Sequence, residues 1–295
     1  MLTAQTMRRI RQIEFRTRRL VNDSFAGSYH SVFKGKGIAF DAVRPYEPGD
    51  DVRDIDWNVT ARLGEPYRKK FVEEREVTLL LVFEDSPSLY FGSGAQSKRE
   101  ALMELAGLVM LLGAVNRDRV GLIIFSDQTE LYIPPRKGRN HGLRLIRDLL
   151  AAKSSGKGTN LSLALRTINR ILKQHAIVFL ISDFLLSGQD YARDLLVTAR
   201  RHDLVAIVLS DPREQAWPAA GLVGLRDAES GSVAWVDTTP PVWREEFKQR
   251  TERYRQSRDV AFTRAGIDRI DVPVDGNFVD ALTRFFRQRT QRFAR

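Results

Sequence analysis

The sequence predicts an α/β protein: a doubly wound, mostly parallel sheet with one antiparallel edge strand. Three observations lead there. Apolar runs of strand length recur at 77–83, 119–125, 176–182, 203–209 and 267–273. Segments of helical periodicity separate them. A short polar run at 128–133 reads as the hairpin partner of 119–125. Apolar strands alternating with helices are what a parallel sheet covered on both faces requires.

Taken in order, residues 1–22 read as an N-terminal amphipathic helix, with Met7, Ile10, Ile13, Leu20 and Val21 on or near one face. Residues 23–76 are rich in Gly, Asp, Arg and aromatics, with short alternating runs such as Ile38-Ala39-Phe40. They read as extended structure and turns ending in a strand around Arg68–Val72. From 77 to 295 the α/β pattern holds, with helices expected at about 97–116, 139–152, 161–173, 189–201 and 276–293. It breaks at about 211–258. There Pro212, Trp217 and Pro218 lead into a hairpin over Gly221–Val236, which turns near Glu229-Ser230-Gly231. A charged helix over about 241–258 follows Pro240-Pro241. This reads as an insertion before the last strand, not a separate domain.

With 295 residues, 43% of them hydrophobic, the chain can bury a sizeable core without staples. It has no cysteine, which excludes disulfides, thiolate zinc sites and cysteine nucleophiles. No segment approaches the roughly 20 apolar residues that span a bilayer, and Met1 to Arg19 carries arginines without a signal-type apolar stretch. The expectation is a cytoplasmic protein. The net charge of +10 gathers at the ends: Arg8, Arg9, Arg11, Arg16, Arg18 and Arg19 at the start, and Arg284, Arg287, Arg289, Arg292 and Arg295 after the last acid, Asp280. These read as solvated faces of amphipathic helices. Binding to nucleic acid, anionic lipid or an acidic partner is the alternative.

The chemistry concentrates after the first sheet strand, at Glu84-Asp85-Ser86-Pro87-Ser88. A stride of two presents Glu84, Ser86 and Ser88. Two later loops offer Thr159, in Gly158-Thr159-Asn160, and Asp183, in Ile181-Ser182-Asp183. Hard oxygen ligands without cysteine or histidine suit a magnesium-type cation. In open α/β sheets, ligands bind beyond the carboxyl ends of strands where the strand order reverses. If 77–83 and 176–182 are neighbours at that point, their loops face one crevice. The competing reading is a turn at Ser86-Pro87-Ser88, a helix N-cap at Thr159 and a solvated carboxylate at Asp183.

The array Glu84, Ser86, Ser88, Thr159 and Asp183 resembles the metal-ion-dependent adhesion site of von Willebrand factor A domains. That family normally has aspartate at the first position. Glu84 is one methylene longer, and a weakened site for magnesium or manganese is expected. A second resemblance rests on the run from Gly35-Lys36-Gly37 through Arg44-Pro45-Tyr46-Glu47-Pro48-Gly49-Asp50-Asp51-Val52-Arg53-Asp54-Ile55-Asp56-Trp57-Asn58 to Arg62, with Phe71-Val72-Glu73-Glu74-Arg75-Glu76. It is similar to the family called domain of unknown function 58, whose members carry an A-type domain and commonly accompany MoxR-type AAA+ ATPases. The resemblance implies a non-enzymatic interaction module. Its crevice metal would meet a partner carboxylate, and a MoxR-type AAA+ ATPase would be the partner in complex assembly or maturation. The alternatives are a magnesium-dependent phosphohydrolase or nuclease using the same oxygens, and nucleic-acid or membrane-surface binding through the arginine-rich termini.

Within 44–62, Asp50, Asp51, Asp54 and Asp56 are expected to pair with Arg44, Arg53 and Arg62, with Trp57 and Tyr46 packed against the sheet. His30, His141, His175 and His202 are scattered and read as surface or structural residues.

Overall fold

The computed structural model describes residues 37–74, 77–94, 96–186, 190–276 and 278–293. In chain order the elements are β1 (Gly37–Pro45), a 3-10 turn at Val52–Asp54, α1 (Trp57–Leu63), β2 (Tyr67–Glu74) and β3 (Thr78–Glu84). After a second 3-10 turn at Pro87–Tyr90 come α2 (Lys98–Val115), β4 (Arg119–Phe125), β5 (Thr129–Arg136), α3 (Arg139–Ala151) and α4 (Leu161–Ile171). Then follow β6 (Ile177–Ser182), α5 (Ala192–Arg201), β7 (Asp203–Ser210), α6 (Pro212–Gln215), β8 (Leu222–Arg226) and β9 (Val233–Asp237). The chain closes with α7 (Pro241–Ala265), β10 (Asp268–Pro273) and α8 (Phe278–Phe293). The helix expected over 1–22 and the first part of 23–76 lie outside the described residues.

The main sheet has the order β10-β7-β6-β3-β4-β5, parallel except for the antiparallel β4–β5 edge. Alternation along β3 explains why helices must cover both faces. Leu79, Leu81 and Phe83 enter one core with Leu102, Leu105 and Val109 of α2, Leu145 and Leu149 of α3, and Leu282 and Phe286 of α8. Leu80 and Val82 enter the other with Leu161, Leu165 and Ile168 of α4, Leu195 of α5 and Phe262 of α7. Each fully buried side chain of this size contributes about 2 kcal/mol. Helix α2 is buried nearly all round, from Ala101 to Ala114, as a helix apolar on every side must be.

The order reverses between β3 and β6. The chain leaves β3 toward β4 and β5, then returns on the other side of β3 to lay down β6, β7 and β10. The carboxyl ends of β3 and β6 are therefore neighbours, in register from Leu79↔Ile177 to Phe83↔Ile181. Between β7 and β10 lie α6, the antiparallel β8–β9 ribbon and α7, in the order expected for the insertion.

Four details differ from expectation. Helix α1 was not anticipated; Asp56 caps it, accepting from the amides of Asn58 and Val59. Trp57 opens that helix facing solvent at 66% exposure rather than packing on the sheet, whereas Tyr46 is half-buried and donates to the carbonyl of Asp50 at 3.0 Å. Helix α7 runs seven residues past 258 because Ala261, Phe262 and Ala265 continue its apolar contact; Gly266, in the left-handed region at φ 67°, ends it. Among the acids of 50–56, Asp50 pairs with Arg44 at 2.7 Å and Arg68 at 2.5 Å, Asp54 with Arg68 at 2.8 Å, and Asp51 with Arg53 at 2.9 Å. Arg68 takes the place expected for Arg62, because the start of β2 lies beside Ile55.

At the basic C-terminal end, Leu282, Phe285 and Phe286 are buried in the core. Arg289 is buried and pairs with Asp203, and Arg292 pairs with Asp268 at 2.8 Å. Acids of β7 and β10 thus engage part of the expected arginine face. Among the described residues no helix is long and apolar enough to cross a membrane.

Candidate metal centre

The five oxygen-bearing residues picked out in the sequence meet at the reversal point. Glu84 is the last residue of β3 and is 1% exposed. Ser86 precedes the 3-10 turn that Pro87 opens, which brings Ser88 back toward it. Thr159 sits just before Asn160, and Asn160, not Thr159, caps α4 by accepting from the amide of Leu163 at 2.9 Å. Asp183 directly follows β6.

These side chains form one continuous line of oxygens. The hydroxyl of Thr159 donates to Glu84 Oε1 at 2.5 Å and that of Ser86 to the same oxygen at 2.7 Å. Ser86 and Ser88 share a hydrogen bond at 2.9 Å, and Ser88 donates to Asp183 Oδ2 at 3.3 Å. Glu84 Oε2 is buried with no hydrogen-bond partner, a costly state for a carboxylate oxygen. Burial, and then the Asp183 carboxylate, push the Glu84 carboxyl up to about 7, against the hydroxyls of Ser182, Thr159 and Ser86, which favour the anion.

Neighbouring residues hold the line in place. Asp85 is fully buried and pairs with Arg99 at 2.5 Å; Arg99 also donates to the carbonyl of Ala152 at 2.8 Å. The loop carrying Thr159 is tied to the end of β4 through Asn160 N–H to the Ser126 carbonyl at 2.9 Å. Gly156 lies against that end so closely that a Cβ there would stand 2.0 Å from Ser126 Oγ. Phe184 takes a left-handed backbone at φ 54°, strain of about 1 kcal/mol or more. Its amide donates to Ser182 Oγ at 2.8 Å and its ring meets Phe262 edge-on at 5.0 Å, which fixes where Asp183 points.

Lys98 was not picked out in the sequence. It lies in the first turn of α2 and its side chain is fully buried. Its ammonium donates to Asp183 Oδ2 at 2.5 Å and also to Glu214 of α6. Burial opposes the charge, yet Asp183 and Glu214 outweigh it and the Lys98 pKa is raised. The other oxygen of Asp183 accepts from the amide of Leu185 at 3.0 Å. A second unforeseen neighbour is Glu229 on the β8–β9 turn. Its carboxylate comes within 3.4 Å of where a side chain on Gly158 would begin. Burial and the charges of Asp227, Asp183 and Asp127 raise its pKa.

The donor set suits a hard divalent cation. Two carboxylates and three hydroxyls converge, with neighbouring oxygens 2.5–3.3 Å apart, close to the roughly 3 Å edge of an octahedron of magnesium ligands. The unpartnered Glu84 Oε2 adds an open acceptor. Among the described residues no three His, Cys, Asp or Glu side chains gather into a metal-binding group, so any ion here would rely on the hydroxyls.

Residues 42–257 match the family described as "Protein of unknown function DUF58". The chain is 28% identical over 282 residues to "Uncharacterized protein Rv1480" of Mycobacterium tuberculosis, covering 95% of this chain and 88% of that one. In fold it is similar to a conserved hypothetical protein BatB from Bacteroides thetaiotaomicron, at a TM-score of 0.46 and 15% identity, over 74% of this chain and 98% of that one. It is also similar to the SpRpn10 VWA domain, at a TM-score of 0.39 and 12% identity, over 70% and 93% of the two chains.

Proposed function

We propose, from the premise that this chain belongs to the family Protein of unknown function DUF58, that it is a non-enzymatic protein-interaction module. Its contact point is the crevice between β3 and β6. Glu84, Ser86, Ser88 and Thr159 would hold a magnesium or manganese ion, with Asp183 on the far side of Ser88. The ion would supply an electrophilic point for a carboxylate of the partner. The observation that carries this reading is Glu84 Oε2, buried and unpartnered at the head of a line of hydroxyls.

Two features support a binding role over a hydrolytic one. The serine hydroxyls are engaged with each other and with carboxylates, with no histidine in the line. Among the described histidines, His141 is engaged with the Val120 carbonyl at 2.9 Å, and His202 is buried at the end of α5. The resemblance noted for residues 35–76 makes a MoxR-type AAA+ ATPase the partner of choice, in assembly or maturation of a third protein.

Calorimetric titration with magnesium and manganese tests the site: binding in the native protein, lost in Glu84→Gln, is expected. Co-purification with the ATPase tests the partner. Capture that survives both chelator and Glu84→Gln would refute a metal-dependent contact.

A further inference from the structure

We infer that Lys98 is the built-in cation of the crevice: it keeps Asp183 from any metal and fastens the start of the insertion to the site through Glu214. This rests on the crevice being the contact point proposed above, but not on a metal being bound there.

Three observations carry it. First, Asp183 is already satisfied. Its Oδ2 accepts from Lys98 at 2.5 Å and from Ser88 at 3.3 Å, and its Oδ1 accepts from the Leu185 amide at 3.0 Å. Glu84, by contrast, keeps an unpartnered buried oxygen. The two carboxylates are therefore not equivalent, and only Glu84 is free to take a new ligand. Second, the Lys98 ammonium has no route to water. Its side chain is 0% exposed and that of Asp183 is 2%, so the pair cannot be relieved by solvation. Third, the ammonium's other carboxylate comes from outside the sheet. Glu214 lies on α6, just after β7, and its side chain is 18% exposed. Glu214 Oε2 accepts from the amide of Asp211, and its carbonyl accepts from Thr251 of α7. The carboxylate of Asp211 in turn holds Ser93, in the loop before α2, at 2.6 Å. One ammonium thus joins the strand end of β6, the first turn of α2 and the base of the insertion.

The consequence is a fixed positive charge next to the crevice. It repels a divalent ion, and it makes the seat of α6 and α7 depend on the same group that neutralises Asp183. Lys98 is a positioning residue for the site, and its effect separates from simple packing by sign. A damaged fold binds metal less well, whereas loss of this charge should bind it better.

The test uses the full chain with Lys98→Met, which keeps the unbranched apolar stem and removes the ammonium, alongside Asp183→Asn and Glu84→Gln. Folding is checked by circular dichroism. Two readouts are taken: manganese titration by calorimetry, and amide hydrogen exchange over 211–215. Lys98→Met should bind manganese at least about tenfold more tightly than the native protein. Asp183→Asn should weaken binding without abolishing it, because it leaves the Lys98 charge less compensated but removes no ligand. Exchange over 211–215 should rise in Lys98→Met and stay unchanged in Glu84→Gln. If no variant binds manganese but exchange rises as stated, the metal reading fails while Lys98 stands as the site's own cation. If exchange is unchanged in folded Lys98→Met, or if Asp183→Asn abolishes binding that Lys98→Met leaves at the native level, the inference is overturned.

Discussion

Replacing Arg99 with methionine should cost more stability than any exposed substitution in this chain, because Arg99 is what makes a buried Asp85 tolerable. Asp85 is 0% exposed, and Arg99 reaches it with two nitrogens, at 2.5 and 3.1 Å. The same guanidinium donates to the Ala152 carbonyl at 2.8 Å and lies over the Tyr90 ring at 5.2 Å. Methionine keeps much of the stem's packing but removes all the donors. Breaking a buried pair by deleting one partner costs about 3–5 kcal/mol, since the other charge stays buried without compensation. For a protein of this size that corresponds to a fall in Tm of roughly 10 °C. The reverse change, Asp85→Asn, should cost less, because Arg99 is 11% exposed and keeps its carbonyl partner. Urea unfolding of the two single variants and the double variant gives the coupling, expected at about 1 kcal/mol or more. A loss below about 1 kcal/mol for Arg99→Met, or strict additivity in the cycle, would refute the reasoning.

Further outcomes follow from other parts of the structure. His202 is buried with both ring nitrogens unpartnered, and burial first, then Arg201 and His175, lower its pKa from 6.5 to about 4. The unfolded chain therefore takes up the proton first on acidification, so up to about 3 kcal/mol of stability present above pH 6.5 should be lost between pH 6.5 and 4. His202→Leu should remove that slope in pH-dependent denaturation. Asn160→Ala removes the cap of α4 and should cost about 1 kcal/mol by thermal melting. Gly156→Ala places a methyl against Ser126 and Asp127 and should displace the Thr159 loop, raising proteolysis within 152–160; a fully native pattern would refute the close approach. Side-chain length alone would have Glu84→Asp tighten manganese binding; the structure argues the opposite, because a shorter side chain cannot keep both the Thr159 and Ser86 hydroxyls on one oxygen, and tighter binding in calorimetry would refute that argument.

The sheet was legible because its strands carry their own record. The inner parallel strands β3, β4, β6 and β7 are apolar on both faces, the outer β10 buries only Ile270 and Val272, and the polar start of β5 at Thr129-Glu130 marked the antiparallel edge. The crevice was legible because Glu84, Ser86, Ser88, Thr159 and Asp183 fall at the ends of those strands. Its supporting charges were not. Lys98 stands in Ser97-Lys98-Arg99-Glu100, a run that looks like any solvated first helical turn. The available signal was that α2 is apolar all round afterwards, so even its first turn lies against the sheet end. Glu214 and Glu229 belong to the insertion, and no periodicity says where an insertion folds back. The same limit applied to Arg68 and Arg289, whose acidic partners lie 14 to 86 residues away.

How the acids are matched explains the irregular first position better than side-chain length alone. Five carboxylates surround the crevice, and four have settled partners or an open rim. Asp85 has Arg99, Asp183 and Glu214 share Lys98, and Glu229 stands exposed at the mouth. Glu84 has hydroxyls only, with those of Thr159 and Ser86 both on Oε1. Hydroxyls can direct a carboxylate but cannot neutralise it, so the remaining need for positive charge falls on Glu84 Oε2. The extra methylene lets Glu84 reach the Thr159 hydroxyl while its other oxygen remains unpartnered. On this reasoning glutamate at the end of β3 is not a damaged aspartate. It concentrates the crevice's open acceptor on one atom, while the neighbouring aspartates are held by protein cations.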